Sequence, residues 1–148
     1  MSKVFKICIT NKSGEDLKNL DNIKVIANKG IINDRYYNNF KNKEEQVTLI
    51  NLEEIEIFNK KINREIDPKD FRRNIIVSGI KLNKLIGKKI KINNVILYIH
   101  EICQPCNYLQ KKLSASNLVK LLVNKSGVRA EILSSGFIEV GNKIVIIK

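Results

Sequence analysis

The chain predicts a mainly β fold: a barrel, or closed sandwich, of mostly antiparallel strands with two or three peripheral helices. Two observations predict it. Short apolar stretches rich in β-branched residues recur from one end to the other. They are joined by hairpin-like turns of Gly, Asn and Ser, giving about eight or nine strands against two or three helical segments. The 148 residues fit one domain, residues 1–148, with no internal boundary or repeat.

"KVFKICIT", residues 3–10, alternates well enough for a strand, with Val4, Phe5, Ile7 and Ile9 apolar. "NKSGEDLKNL" reads as a polar connection holding a helical turn. "NIKVIANKG" is a second strand ending at Gly30. The Asn-rich "INDRYYNNFKNKEE" is a long loop, and long loops in compact domains invite a functional explanation. "EQVTLI" is a β-branched strand. "NLEEIEIFNKKI" is a helix with Asn51 as N-cap, Glu53 and Glu54 in its first turn, and Leu52, Ile55 and Phe58 on one face.

"DPKDFRRNIIVSGI" gives a Pro-marked turn and a strand through Arg73–Val77. "KLNKLIG" is a short apolar turn stopped by Gly87. "KKIKINNVILYIHEIC" is a hairpin about Asn93–Asn94, residue types that tolerate positive φ. "CNYLQKKLSASNLVKLLVNK" is mostly helical, with Tyr108, Leu109 and Leu113 as one apolar stripe and Leu118, Leu121 and Leu122 as another. "GVRAEILSSGFIEVGNKIVIIK" closes the chain with three strands.

The net charge of +12 points to an anionic partner or to a lysine-rich solubilising surface. A nucleic-acid-binding barrel is opposed by an aromatic content of 6% with no clustered stacking platform. No apolar run approaches the roughly 20 residues of a membrane helix, and the polar start does not read as a signal peptide. The expectation is a cytoplasmic protein with no membrane partner, in which three cysteines are packing residues, ligands or reactive thiols rather than a disulfide framework.

Chemistry concentrates in four short stretches. "HEICQPCNYL" holds Cys103 and Cys106 beside His100, the single histidine. Four readings remain open there: a redox pair, a zinc site from His100, Cys103 and Cys106, a nucleophilic or sulfur-carrying Cys106, and two inert side chains. A helix opening at Pro105–Cys106 would favour a thiolate at Cys106, with Cys103 one turn away. "NDRYY" places Asp34 beside Arg35, as an anion clamp or a surface ion pair. "FRRNIIVSG" places Arg72 and Arg73 before Asn74, where a guanidinium binds phosphate bidentately or simply meets solvent. Arg129 interrupts an apolar strand, a cost that a cleft-facing position would explain. In a chain that otherwise prefers Lys, this placement of arginines suggests recognition of a planar or phosphorylated anion.

In order, these stretches resemble the MOSC domain, named for the C-terminal part of molybdenum cofactor sulfurase. The resemblance spans nearly the whole chain. It rests on "GIINDRYY" for a Gly-x-x-Gly-Asp-Arg motif, "EEQVTLI" for an Arg-Gln-Val-Thr-Leu-like strand, "RRNIIVSGIKLNKL" for an Arg-x-Asn segment, "QPC" for the Pro-Cys motif, and "GVRAEIL", "SSG" and "VGN" near the end. Asn33, Glu45 and Asn142 depart from the pattern.

The resemblance implies a MOSC-type β-barrel with a pocket around Cys106, molybdenum cofactor (molybdopterin) as cofactor, and Cys106 as sulfur carrier or molybdenum ligand. The leading reading adds Cys103 as an auxiliary thiol. Arg35, Arg72, Arg73, Asn74 and Arg129 would bind the phosphorylated anion, with Asp34 orienting Arg35. Neither a ferredoxin-like segment nor a pyridoxal-phosphate site is evident. The implied partners are therefore separate: a molybdenum-cofactor enzyme, or a biosynthesis or sulfuration protein. A non-catalytic delivery module docking an acidic partner enzyme is the rival reading.

Overall fold

Eleven strands and three α-helices build the protein in the computed structural model, which describes residues 1–147. The strands are β1 (Lys3–Ile9), β2 (Lys18–Leu20), β3 (Asn22–Ile26), β4 (Gly30–Ile31), β5 (Val47–Asn51), β6 (Ile75–Ser78), β7 (Lys89–Ile92), β8 (Val95–Ile102), β9 (Val128–Ile132), β10 (Gly136–Glu139) and β11 (Ile144–Ile147). The helices are α1 (Leu52–Ile62), α2 (Asn107–Lys112) and α3 (Leu118–Leu121).

Eight strands form one curled, half-barrel sheet in the order β11-β7-β8-β9-β5-β6-β1-β2. All pairings in it are antiparallel except β5–β6, the pair that α1 connects. A crossover helix lets two parallel strands lie side by side. The curl brings the start of the chain to its end: Val4 N–H donates to the Asn142 carbonyl at 2.9 Å, and Ile144 N–H to the Ser2 carbonyl at 3.0 Å. A second sheet, β10-β3-β4, lies in the same core.

The inward faces are aliphatic throughout. Val4, Ile7, Leu49, Ile75, Val77, Ile90, Ile92, Leu97, Ile99, Val128 and Ala130 are fully buried in one cluster. Each large side chain in such a position contributes about 1.5–3 kcal/mol relative to exposure. A second cluster lies on the helix side, where Cys8, Ile50 and Ile76 meet Ile55, Phe58, Phe71, Leu109, Leu118 and Leu122.

Four local expectations need correction. "NKSGEDLKNL" carries no helical turn; it delivers the edge strand β2, whose three residues are all exposed and so have no alternation to read. Asn51 precedes α1, yet its side chain does not cap the helix. It donates to the Ile80 carbonyl and accepts from Leu82 N–H at 3.3 Å, tying β5 to the loop after β6. Arg73 lies before β6, which starts at Ile75. The helical stretch after Cys106 is broken into α2 and α3 by Ser114 and Asn117, both at positive φ. Leu109 is buried there, but Tyr108 is 51% exposed, so the two do not share an apolar stripe.

Candidate functional site

An open cleft of about 550 Å³ lies where α2 and the loops before β6 and after β4 meet the ends of β8 and β9. It collects residues distant in sequence: Ser13 and Gly14, Arg35 and Tyr36, Phe71–Arg73, Gln104, Cys106, Tyr108, Leu109 and Arg129. Cys106 and all four singled-out arginines therefore share one cavity.

A buried polar network builds its first wall. Asp34 is 6% exposed. Its carboxylate accepts from Thr10 N–H and Tyr36 N–H, both at 3.3 Å, and from Asn74 Nδ2 at 3.5 Å. Burial pushes the Asp34 carboxyl above the usual carboxylate range despite the opposing pull of the Arg35 guanidinium. Asn74 is also buried and does not reach the cleft. It accepts from Thr48 N–H at 3.1 Å and donates to the Cys8 carbonyl at 3.2 Å, locking the loop before β6 against β5 and β1.

Arg35 is held on this wall. Its Nη1 is 3.8 Å from Asp34 Oδ1, and its guanidinium lies 4.5 Å from the centre of the Tyr36 ring. That Nη1 is buried and has no hydrogen-bond partner. An unsatisfied buried donor on a cleft-lining cation is a costly arrangement that an anionic ligand would relieve.

The other arginines divide their work. Arg73 Nε donates to the Ser126 carbonyl at 2.8 Å, and its Nη2 to Ser126 Oγ at 3.1 Å and the Gln104 carbonyl at 3.5 Å. It braces the loop before β9 against the cysteine loop. Arg72 adopts φ 64°, donates to the Glu15 carbonyl at 2.8 Å, and sits 5.9 Å from the Tyr108 ring centre. Arg129 is half-exposed, with Nη1 3.6 Å from Glu101 Oε1. A register shift between Ile99 and Glu101 pairs Glu101 with Arg129 across β8 and β9; such bulges re-aim side chains.

The cysteines differ sharply. Cys106 is exposed at the N-terminal end of α2, without a capping bond from its thiol. Cys103 is buried outside the cleft lining, and burial pushes its thiol up. Cys8 is buried too, its thiol pushed up to about 12, first by burial and then by Asp67. The zinc alternative is corrected: His100 Nε2 lies 2.9 Å from Glu131 Oε1, and among the described residues no three His, Cys, Asp or Glu side chains cluster to hold a metal ion. His100 is engaged locally and does not line the cleft that holds Cys106.

Tyr36, Tyr108, Gln104 and the Ser13–Gly14 turn were not singled out by sequence reasoning. The signal available was proximity: Tyr36 follows Arg35, and Gln104 and Tyr108 flank Cys106. None of the three motif departures lines the cleft. Asn33 adopts φ 74°, the left-handed conformation its motif's glycine would supply. Glu45 accepts from Lys41 N–H and Asn42 Nδ2 within its own loop. Asn142 accepts from Glu139 N–H at 2.7 Å in the turn before β11.

The MOSC domain family model matches residues 35–145. No curated protein sequence matches the chain. Among solved structures, the chain is similar to the YuaD protein from Bacillus subtilis, with a TM-score of 0.81 at 19% identity over 99% of this chain and 96% of that one. It is similar to YiiM from Geobacillus stearothermophilus, with a TM-score of 0.81 at 16% identity over 100% and 76% of the two chains. YiiM from Escherichia coli gives 0.74 at 14% identity over 99% and 68%. At these identities the likeness is one of fold, and it agrees with the curled, mainly β architecture.

Proposed function

The chain belongs to the MOSC domain family, and from that premise we propose that it handles sulfur or molybdenum cofactor through Cys106, with the cleft arginines binding a phosphorylated anion. The observation that carries this reading is the single accessible cysteine sharing a cavity with four arginines, one of them with an unsatisfied buried donor.

These residues fit molybdopterin. Arg35 Nη1, Arg72 and Arg129 would hold its phosphate, and Cys106 would stand as the sulfur donor or ligand. When bound, the cofactor supplies a redox-active metal with an affinity for sulfur. The chain's own residues supply the rest. Asp34 holds Arg35, Arg73 braces the loops on either side, and Tyr36 and Tyr108 flank the cationic lining.

As a sulfur carrier, the Cys106 thiolate attacks the outer sulfur of a partner protein's persulfide. A new S–S bond forms at Cys106, the donor's S–S bond breaks, and the donor cysteine leaves as a thiolate. Cys103, buried with its thiol pushed up, stays protonated beside this exchange. The partners in this reading are a molybdenum-cofactor enzyme or a sulfuration protein of the reducing cytoplasm. The net charge of +12 suits docking to an acidic face, which makes complex formation salt-sensitive. No helix among the described residues is long and apolar enough to cross a membrane.

The test is native mass spectrometry, with metal analysis, of protein purified anaerobically from its own host. A species heavier by one sulfur atom, or by a molybdopterin, that disappears in Cys106→Ser supports the reading. The same adducts on the parent and on Cys106→Ser, or no adduct on either, overturn it.

A further inference from the structure

We propose that Gln104 is a positioning residue, and that its paired hydrogen bonds to Asn124 hold Cys106 within reach of the arginines. The inference rests on the reading of Cys106 as the working thiol. It starts from a bidentate contact between the Gln104 side-chain amide and Asn124, through that residue's backbone N–H and its side-chain oxygen. Asn124 backbone N–H donates to Gln104 Oε1 at 2.9 Å, and Gln104 Nε2 donates to Asn124 Oδ1 at 2.6 Å. Both residues are exposed, so packing does not force them together.

The place of this clasp gives it a task. The loop from Cys103 to Cys106 leaves the end of β8 and enters α2. Cys103 N–H is tied to the Gly127 carbonyl at 2.8 Å, and the Cys106 carbonyl accepts from Gln110 N–H at 3.2 Å. Between those ties, Pro105 has no N–H to offer. Gln104 thus supplies the last side-chain anchor before Cys106, reinforced by Arg73 Nη2 on its carbonyl at 3.5 Å.

The anchor point is itself held. Asn124 sits at φ 61°, a conformation that Asn tolerates and most residues resist. Its carbonyl accepts from Asn83 Nδ2 at 2.6 Å. Two residues on, Ser126 accepts twice from Arg73. Without the clasp, the loop keeps its backbone ties at Cys103 and Cys106 and the Arg73 contact, but no side-chain anchor between them. The thiol then samples positions farther from Arg72 and Arg129.

The test compares two alkylating reagents on Cys106, anionic iodoacetate and neutral iodoacetamide, with modification at Cys106 followed by peptide mass spectrometry. Both form an S–C bond and release iodide, and both need the thiolate, so the ratio of their rates cancels the thiolate fraction. What remains is the pull of nearby cations on the anionic reagent. Gln104→Ala is expected to lower that ratio severalfold, because a thiol farther from the guanidinium groups gives the anionic reagent less of their attraction. Asn124→Gly keeps the backbone conformation, deletes the side chain whose Oδ1 accepts from Gln104 while leaving the backbone N–H, and should lower the ratio in the same direction.

The double variant should fall no further than Gln104→Ala, because both changes break one clasp. Thermal melting of all three variants checks that they are folded. An unchanged ratio in folded Gln104→Ala overturns the proposal, as does additivity in the double variant. Failure of Cys106→Ser to abolish sulfur or cofactor adducts would instead remove the functional reading and leave this ratio intact.

Discussion

The barrel interior and the helix-side layer are both apolar and both buried, yet they are made differently. The interior cluster holds only Val, Ile, Leu and Ala. The helix-side layer adds Phe58, Phe71 and Cys8, with the two phenylalanine rings edge to face at 5.8 Å. Aliphatics on an alternating strand tolerate exchange for one another as long as volume is kept. Aromatic rings impose direction as well as volume. The cleft borders the second layer: Phe71 and Leu109 belong both to that layer and to the cavity lining. The interior supports the fold, and the helix-side layer sets where the reactive residues stand.

The largest expected effect comes where the two regions touch. Gly127 sits at φ 99°, and a Cβ there would fall 2.1 Å from the Leu49 carbonyl oxygen. Its own carbonyl holds Cys103. Gly127→Ala should leave little soluble folded protein, since β9 must move off β5 to admit a methyl group. Gly141, at φ 93°, has nothing within 4 Å of the same added atom. Gly141→Ala should cost only the left-handed backbone penalty, about 1–2 kcal/mol. Soluble yield and thermal melting separate the two. Equal behaviour would mean that close packing at Gly127 is not what joins the regions.

Phe71→Ala sharpens the contrast. Removing this fully buried ring should cost about 3–5 kcal/mol, and it should displace Arg72 and Arg73, which follow it directly. Ile90→Ala, equally buried in the barrel interior, should cost a similar 2–5 kcal/mol. Chemical denaturation gives the stabilities. Cys106 alkylation by iodoacetate should change in Phe71→Ala and stay near the parent rate in Ile90→Ala.

The strands were legible because their signal is local. The period-two pattern in β7–β9 and the Asn93–Asn94 turn is written in consecutive residues, and β1 and β5 stand out as short apolar runs rich in β-branched residues. The arginines and Cys106 were legible as residue types in short motifs. Their roles were not. Arg73 reads as an anion ligand, and the sequence does not show that Ser126, 53 residues away, also engages its Nε and Nη2 while Arg73 lines the cleft. Asn74 reads as part of the site until its partner Asp34, 40 residues away, shows it to be a buried strut. His100 and Cys103 look like ligands beside Cys106 because sequence distance is short. A strand and a bulge send His100 to Glu131 and bury Cys103.

Among the thiols, the expected effect is smaller and depends on pH. Burial pushes Cys8 up to about 12 and raises Cys103 in the same direction. A raised folded-state value means that the stability from keeping the thiol protonated is fully present below the ordinary thiol range and is lost as pH rises through about 12. The stability advantage of the parent over Cys8→Ala should therefore shrink between pH 9 and 10 by about 1 kcal/mol. Urea unfolding at the two values measures it. In the native state near neutral pH, a neutral alkylating reagent should modify Cys106 alone, and unfolding should expose the other two.

The smallest effect should come from restoring the motif glycine at position 33. Asn33 is exposed at φ 74°, and the following Asp34 keeps all its contacts in this conformation. Glycine relieves the left-handed strain but gives the unfolded chain more freedom, and the two changes oppose each other. Asn33→Gly should shift stability by no more than about 0.5 kcal/mol and leave the iodoacetate-to-iodoacetamide ratio at Cys106 unchanged. A large change in that ratio would mean that the Asn33 side chain, and not only its backbone, shapes the Arg35 wall. An unchanged ratio would mean that the departure conserves the turn by other means, so a broken motif in the sequence need not be a broken site.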